Sequence, residues 1–314
     1  MPTPRGVHEP QWHETKVACC LSLAGPVHAA DPQPEPPSKL LDPPQVVRLA
    51  AELKARGGPP GAERRRSTTP DKKQRKRRRK HRRRRGATKR LRTVVATTLE
   101  SESFGWQVAA EVERRGLDRA GRKACVCDGQ KYNWTIFDLH LLPQGFVAIL
   151  DFLHLVVYLY AASQVVRTRG SLAAWELYER WVRWAWSGEV DRLLTALRAA
   201  SEHLGPAPPQ AAEDDPRAIV ADAWHYVENN RARMDYPRYR RLGLPISSAP
   251  VESLIKQLNR RIKGSDKFWL RGGAEKILQV RAAYLSEDDR AERLWLHPRP
   301  RLRSAGPHRL RRAA

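Results

Sequence analysis

Two acidic residues far apart in the chain, Asp128 and Glu252, have the type and position that metal-dependent phosphodiester chemistry requires. Such chemistry uses carboxylates that converge from distant segments, because their oxygens are the ligands that Mg²⁺ prefers. Asp128 follows the apolar run Ala124–Cys127, which predicts a buried strand, and Gly129 comes directly after it. Glu252 falls in the first turn of a predicted helix. Both are therefore candidate catalytic residues and metal ligands.

A further pair, Asp151 and His154, has the spacing D-x-x-H directly after another predicted strand. Each candidate also has a purely structural interpretation. Asp-Gly after a strand is often a turn, and a glutamate in a first helical turn, here behind Pro250, complements the helix dipole. Asp151 and His154 could form a turn that leads into a helix with a satisfied histidine. Spacing alone leaves both interpretations open.

The elements that must position these residues alternate in the middle of the chain. Residues 93–99 are rich in β-branched side chains, which predicts a strand. Residues 100–115 have the apolar period of a helix. Buried strands are predicted at Ala124–Cys127 and at residues 146–150, with a loop between them. This alternation favours an α/β sheet, whose strand ends and following loops line a common edge.

Strand and helix patterns also occur on either side of this region. Residues 16–23 predict a buried strand and residues 46–54 a short helix. The proline-rich segment between them, residues 26–44, predicts extended chain. From residue 155 to 226 the pattern indicates long amphipathic helices, and their tryptophans are more typical of packing than of base stacking: Trp175, Trp181, Trp184 and Trp186.

Two helices are predicted near the end of the chain, at residues 251–262 and 273–285. The first has one apolar stripe, formed by Val251, Leu254, Ile255, Leu258 and Ile262, with charged and polar residues on the other side. The basic segment 298–314 follows as a mobile tail.

The net charge of +24 is concentrated in one tract. Between Arg64 and Arg92, eighteen Lys and Arg residues stand against one acid, Asp71, which gives this tract +17 and leaves +7 for the rest. Such a tract binds polyphosphate by counterion release, and it has nothing to bury, so we expect it to be disordered in isolation. A solvated linker or a localisation signal are the alternatives. We predict that four arginines of this tract contact DNA: Arg77, Arg78, Arg79 and Arg83.

The remaining composition favours a soluble protein of a reducing, cytoplasmic compartment. The cysteines form C-C and C-x-C pairs, which give little support to a zinc site. No apolar signal segment follows Met1. The longest apolar stretch, residues 146–162, contains Asp151 and His154 and is shorter than the ~20 residues of a membrane-spanning helix.

Four segments resemble insertion-sequence transposases of the ISKra type. They are DGQKYNW (128–134), ILDFLH (149–154), NNRARMDYPRYRRLGLP (229–245) and SSAPVESLIKQLNRRIKGSDKFW (247–269). The resemblance covers nearly the whole chain and keeps the order of the motifs. It implies a DDE enzyme with an RNase H-like mixed sheet and a large all-α insertion. Such an enzyme cleaves DNA and transfers the freed strand with Mg²⁺ (or Mn²⁺).

By this resemblance, Asp128 corresponds to the second carboxylate of the DDE triad and Glu252 to the third. Asp151 and His154 correspond to the D-x-x-H motif, an accessory element near the site. Charge and helical facing select four further phosphate contacts, namely Lys256, Arg260, Lys263 and Lys267. The expected partners are element-end and target DNA and other copies of the chain in a transposition complex at the nucleoid, with no membrane.

The expected organisation has six parts. They are a partial N-terminal piece of the catalytic domain (1–63), the disordered tract (64–92), the RNase H-like core (93–154), the helical insertion (155–245), the C-terminal catalytic helices (246–296) and a basic tail (297–314).

One departure from the family affects the expected activity. The family's first aspartate lies on an initial strand, in an Asp-Gly context, upstream of the segment that matches residues 6–18, and this chain begins at about that segment. Asp31 and Asp42 lie in proline-rich chain and not on a predicted strand. A truncation or a misassigned start would account for this, and we expect weak metal binding and little or no catalysis from this polypeptide alone.

Two other functions remain open at this point. One is a non-catalytic, nucleic-acid-binding transposase remnant. The other is an RNA-associated basic protein, which lacks the support of an aromatic-rich RNA-recognition motif.

Overall fold

The structure is a computed structural model that describes residues 14–54, 88–262 and 269–296. The strands in these residues are β1 (Lys16–Ala24), β2 (Thr88–Thr97), β3 (Ala124–Cys127) and β4 (Val147–Leu150). The α-helices are α1 (Pro43–Lys54), α2 (Ser101–Arg114), α3 (Lys131–Ile136), α4 (Phe152–Val166), α5 (Leu172–Ser187), α6 (Val190–Leu204), α7 (Pro216–Asn230), α8 (Tyr236–Arg241), α9 (Ala249–Ile262), α10 (Arg271–Leu285) and α11 (Arg290–Leu296).

The strands form two separate two-stranded sheets within the described residues. β1 and β2 are antiparallel, from the Lys16–Thr97 pair to the Ala24–Thr88 pair. β3 and β4 are parallel. The α/β class is confirmed. The mixed sheet that we expected is not present among the described strands, because neither β1 nor β2 pairs with β3 or β4.

The predicted disorder of the cationic tract is wrong for its last five residues. Residues 88–92 belong to β2 and pair with β1. Two of their cations also contact the carboxylate of Glu287: Lys89 hydrogen-bonds to it, and Arg92 Nη2 lies 3.3 Å from Oε1. Strand pairing and ion pairing thus stabilise residues 88–92, which bury no apolar side chain. The rest of the tract, and the basic tail, lie outside the described residues.

The parallel pairing of β3 and β4 places two acids at one edge. The register runs from Ala124 opposite Val147 to Cys127 opposite Leu150. Asp128 and Asp151 are the next residues on the two strands, and they leave the sheet in the same direction because the strands are parallel. Parallel strands thus bring together side chains that are distant in sequence.

The larger of two hydrophobic clusters surrounds β3 and β4. It contains α4 and the helices of the 155–245 region, and its largest fully buried side chains include Trp181, Tyr178, Tyr236 and Phe152. Trp186 is also buried, while Trp175 and Trp184 pack against the cluster from its margin. The packing interpretation of the tryptophans is therefore confirmed.

The segment between β3 and β4 is helical, which corrects the prediction of a loop. After α3 it continues as a π-helical turn, Phe137–Leu141, and a 3₁₀ turn, Leu142–Gln144. The reason is burial, because four of its apolar residues pack into the larger cluster: Trp134, Ile136, Phe137 and Leu141.

The smaller cluster lies between the antiparallel sheet and the last helices. Val94 and Ala96 of β2 pack against Leu254 and Leu258 of α9 and against residues of α10. The predicted apolar stripe of α9 thus packs away from β3 and β4. Glu275 of α10 adds polar contacts, since its carboxylate accepts hydrogen bonds from Thr97 and Thr98.

None of the helices in the described ranges is both long enough and apolar enough to cross a membrane.

A partly buried ion pair attaches the proline-rich segment to the helical region. The guanidinium of Arg240 donates to Asp31, with an Nε–Oδ1 distance of 2.9 Å, and to the carbonyl of Trp186. It also lies over the Trp186 ring, 4.1 Å from the centroid. Burial raises the pKa of Asp31, but hydrogen bonds from Arg240 and from the Gln33 N–H outweigh this and hold that pKa below its ordinary value.

Replacing Asp31 by Asn should lower the free energy of unfolding by about 2–3 kcal/mol near neutral pH, because Arg240 loses its charged acceptor in a buried position. A depressed pKa contributes stability above the unfolded pKa of about 3.9 and loses it as the pH falls through the folded value. The difference between wild type and Asp31→Asn should therefore shrink in acid, as measured by urea denaturation across pH. Glu35→Gln is the control, since its exposed pair with Arg183 should have little effect. An equal loss in both variants would contradict this assignment.

Candidate active site at the carboxyl end of the parallel strands

Asp128 is held at the strand edge by its own loop. Its Oδ1 accepts hydrogen bonds from Asn133 Nδ2 at 2.8 Å and from the Gln130 N–H at 3.2 Å. Asp128 and Gly129 therefore do form a turn, as the structural interpretation of this pair predicts. Oδ2 accepts no hydrogen bond from the described residues, so one oxygen of this partly exposed carboxylate remains available to a ligand.

Gly129 and Tyr226 fix the backbone at Asp128. The Tyr226 hydroxyl donates to the Asp128 carbonyl at 2.7 Å, and its ring stacks on Tyr158 with a centroid distance of 3.9 Å. Gly129 has φ of 91°, and a Cβ there would lie 2.6 Å from Tyr226 Cε2. Glycine is thus required twice at this position, by its backbone conformation and by the ring beside it.

Asp151 is fully buried, and its carboxylate accepts three hydrogen bonds. Oδ1 accepts from the Leu153 N–H at 2.9 Å, which makes Asp151 the N-cap of α4. Oδ2 accepts from the Ser248 hydroxyl and from His154 Nδ1, the latter at 2.9 Å. Asp151 and His154 thus do form a turn that leads into a helix, but this carboxylate also connects α4 to the segment that begins α9. Sequence reasoning missed Ser248, because a serine before a helix suggests only a cap.

Glu252 lines a pocket of about 260 Å³ between α1, α4 and α9. Asp151 and His154 also line it, so three of the four acidic and histidine candidates are brought together. The full lining is Leu49, Glu52, Leu53, Asp151, Leu153, His154, Ala249, Glu252, Ser253 and Lys256. Asp128 is not among these residues. It adjoins the pocket through Asp151, whose N–H donates to the carbonyl of Cys127 at 2.8 Å.

The carboxylates at this edge act on the tyrosines beside them. Burial is the largest cause that raises the pKa of Tyr226, and the charges of Asp151 and Asp128 raise it further. Burial likewise raises the pKa of Tyr132, with Glu14 and Asp128 adding to it. Carboxylates that act on common neighbours concentrate negative charge, which a bound cation would offset.

The predicted phosphate contacts are only partly described. Lys256 lies on α9, and its Nζ is 2.7 Å from Glu52 Oε2 on α1, in a pair that is about half exposed. Arg260 lies on the exposed side of the same helix. The other predicted contacts lie outside the described residues: Lys263, Lys267, Arg77, Arg78, Arg79 and Arg83.

The oxygen donors of Asp128 and Glu252 suit a hard divalent cation. Within residues 14–54, 88–262 and 269–296, however, no group of three or more His, Cys, Asp or Glu side chains could hold a metal ion. A two-metal centre at this edge therefore needs at least one more carboxylate than these residues bring together.

No protein-family model, no curated protein and no solved structure matches this chain. The candidate site consequently rests on its own geometry.

Replacing Gly129 by Ala should lower the free energy of unfolding by about 2–4 kcal/mol, from left-handed backbone strain together with displacement of the Tyr226 ring. Gly170→Ala is a matched control. Gly170 also has a positive φ, 73°, but no atom lies within 4 Å of the position that a Cβ would take there, so this variant should show only the strain, about 1 kcal/mol. Denaturant unfolding measures both, and equal losses would refute the role of Tyr226.

Proposed function

We propose that this chain is the catalytic part of a DDE-class DNA transposase, with an RNase H-like core and a helical insertion at residues 155–245. The observation that carries this proposal is the position of Asp151. Its backbone is bonded to Cys127, the residue before Asp128, and its side chain lines the pocket of Glu252. Two acids that are distant in sequence thereby share Asp151 as a common neighbour.

Asp128 and Glu252 are the residues that would hold the metal in this proposal. When bound, Mg²⁺ or Mn²⁺ would neutralise the charge on the attacking and leaving oxygens of the phosphodiester. Asp128 would offer its Oδ2, while Asn133 and Gln130 keep Oδ1 in place. Asp151 and His154 would act as the accessory pair that keeps the edge ordered.

The proposal assigns the additional carboxylate to a strand at the open edge of β3. No described residue pairs with this edge or with the outer edge of β1. Unpaired edges present N–H and C=O groups that a further strand can bond. In the transposases that the chain resembles, the first aspartate lies on such a strand.

DNA binding in this proposal has two sources. The tract between Arg64 and Arg92 supplies sequence-independent affinity through its +17 charge. The cations of α9, Lys256 and Arg260, lie near the pocket and would contact phosphates at the site of reaction. Association with the nucleoid, and with further copies of the chain on two element ends, follows from this function.

The decisive experiment measures metal-dependent nicking and strand transfer on element-end DNA. The chain is assayed as printed and, where the gene encodes more residues in frame before Met1, with those residues included. We expect Mg²⁺- or Mn²⁺-dependent activity in the form that carries the additional carboxylate. In that background Glu252→Gln should reduce activity by at least about 100-fold, because a carboxylate that offsets charge at the reacting phosphate is lost.

The control for this experiment is Glu228→Gln, an exposed residue of α7 that does not line the pocket of Glu252 and should keep full activity. DNA affinity should be nearly equal in all variants, which separates chemistry from binding. Undiminished strand transfer by Glu252→Gln would refute the assignment.

The second candidate function is non-catalytic nucleic-acid binding. It is favoured by one observation, namely that the described residues contain no three-residue metal-ligating group. Retained DNA affinity without metal-dependent nicking in every form assayed would favour this function. Comparable affinity for unrelated RNA would favour RNA association.

In this proposal the Glu52 carboxylate and a DNA phosphate compete for Lys256, because each is an anion that can pair with its ammonium group. Glu52→Gln should therefore raise the affinity for duplex DNA about two- to five-fold, the range expected from releasing an exposed ion pair. The salt dependence of binding should steepen by about one phosphate contact. Fluorescence anisotropy over a salt series measures both.

Glu202→Gln is the matched control, because it removes the same charge from an exposed pair, with Arg198 on α6, outside the pocket. If both variants change DNA affinity equally, the effect is one of net charge, and Lys256 does not contact phosphate.

A further inference from the structure

The elements that carry Asp128 and Glu252 pack in different hydrophobic clusters, which meet at the β1–β2 sheet: Ala18 and Val95 pack against the larger cluster, and Val94 and Ala96 belong to the smaller. β3 and β4, at whose ends Asp128 and Asp151 lie, are packed in the larger cluster. The helix that carries Glu252, α9, buries Leu254 and Leu258 in the smaller cluster against β2 and α10. Apolar burial is non-directional, so it does not by itself set the position of Glu252 relative to the strand edge.

A continuous path of hydrogen bonds does join them, and it passes through Asp151. The Asp151 N–H donates to the Cys127 carbonyl at 2.8 Å, which ties it to the strand that ends at Asp128. Its carboxylate accepts from the Ser248 hydroxyl. The Ser248 carbonyl in turn accepts from the Glu252 N–H at 3.1 Å, within the first turn of α9.

A second bond strengthens the same connection. The Phe152 N–H donates to the Ile246 carbonyl at 3.0 Å, so the residues before α9 are attached to α4 at two points. Asp151 is fully buried, and hydrogen bonds to a buried charged acceptor are stronger than those between neutral groups.

We propose that Asp151 is a positioning residue that sets Glu252 against the strand edge through Ser248. His154, which shares Oδ2 with Ser248, restrains the carboxylate in the orientation that receives the serine. The inference rests on the proposed function only in treating Glu252 as a reacting-site residue. The mechanical connection itself stands on the hydrogen bonds.

The connection is tested by amide hydrogen exchange on the chain as printed, without metal or DNA. Ser248→Ala removes the hydroxyl, and Asp151→Asn keeps an oxygen for the cap of α4 while losing an acceptor for Ser248. Each variant should accelerate exchange at Val251 and Glu252 by roughly tenfold. The double variant should add little to either single change, because both break one interaction.

Two further variants separate positioning from general stability. Ser248→Thr keeps a hydroxyl and should restore the wild-type exchange rate. Ser253→Ala, an exposed serine of α9 whose hydroxyl only accepts from Gln257 at 3.4 Å, should leave it unchanged.

Unaltered exchange at Val251 and Glu252 in Ser248→Ala would overturn the inference. Uniform acceleration through β3, β4 and α9 would overturn it as well, since that result signifies global destabilisation. Ser248→Ala keeps the test decisive even if Asp151→Asn does not fold. A protein that never nicks DNA would refute the proposed function and leave these exchange rates as they are.

Discussion

The buried carboxylate of Asp151 is the interaction on which the site depends. Asp151 follows β4 beside Asp128 and caps α4. Its carboxylate also accepts hydrogen bonds from Ser248 and His154, the two residues that connect it to the pocket. Burying a charged group is costly unless all its oxygens are bonded. Ser248, His154 and the Leu153 N–H meet that requirement together, so none of these contacts is separable from the packing around them.

The strand pairing beneath it has an equally simple cause. β3 and β4 are only four residues long, and a two-stranded sheet of that size is not stable in isolation. Its stability comes from the helices packed around it, with Ile149 and Leu150 fully buried among them. The all-α region is therefore more than an appendage, because it holds the short strands in register and with them the acids at their ends.

Much of this fold could be predicted from the sequence, and the failures have physical reasons. Periodicity located β1, β3 and α9 to within about two residues, since each has a clear apolar pattern. It missed the helical turns at residues 131–144, which it predicted as a loop, because the burial of aromatic and aliphatic side chains there decided the outcome. It also missed the roles of Ser248 and Tyr226. Those roles depend on hydrogen bonds between segments distant in sequence, and neither residue has a local pattern that indicates them.

The start of β2 at Thr88 has a consequence for the reach of the cationic tract. Lys89, Arg90 and Arg92 belong to both the tract and the strand, so these three cations are fixed on the antiparallel sheet by its pairing with β1. A polyanion bound by them would lie at the flank of the β1–β2 pair, the sheet against which α9 is packed.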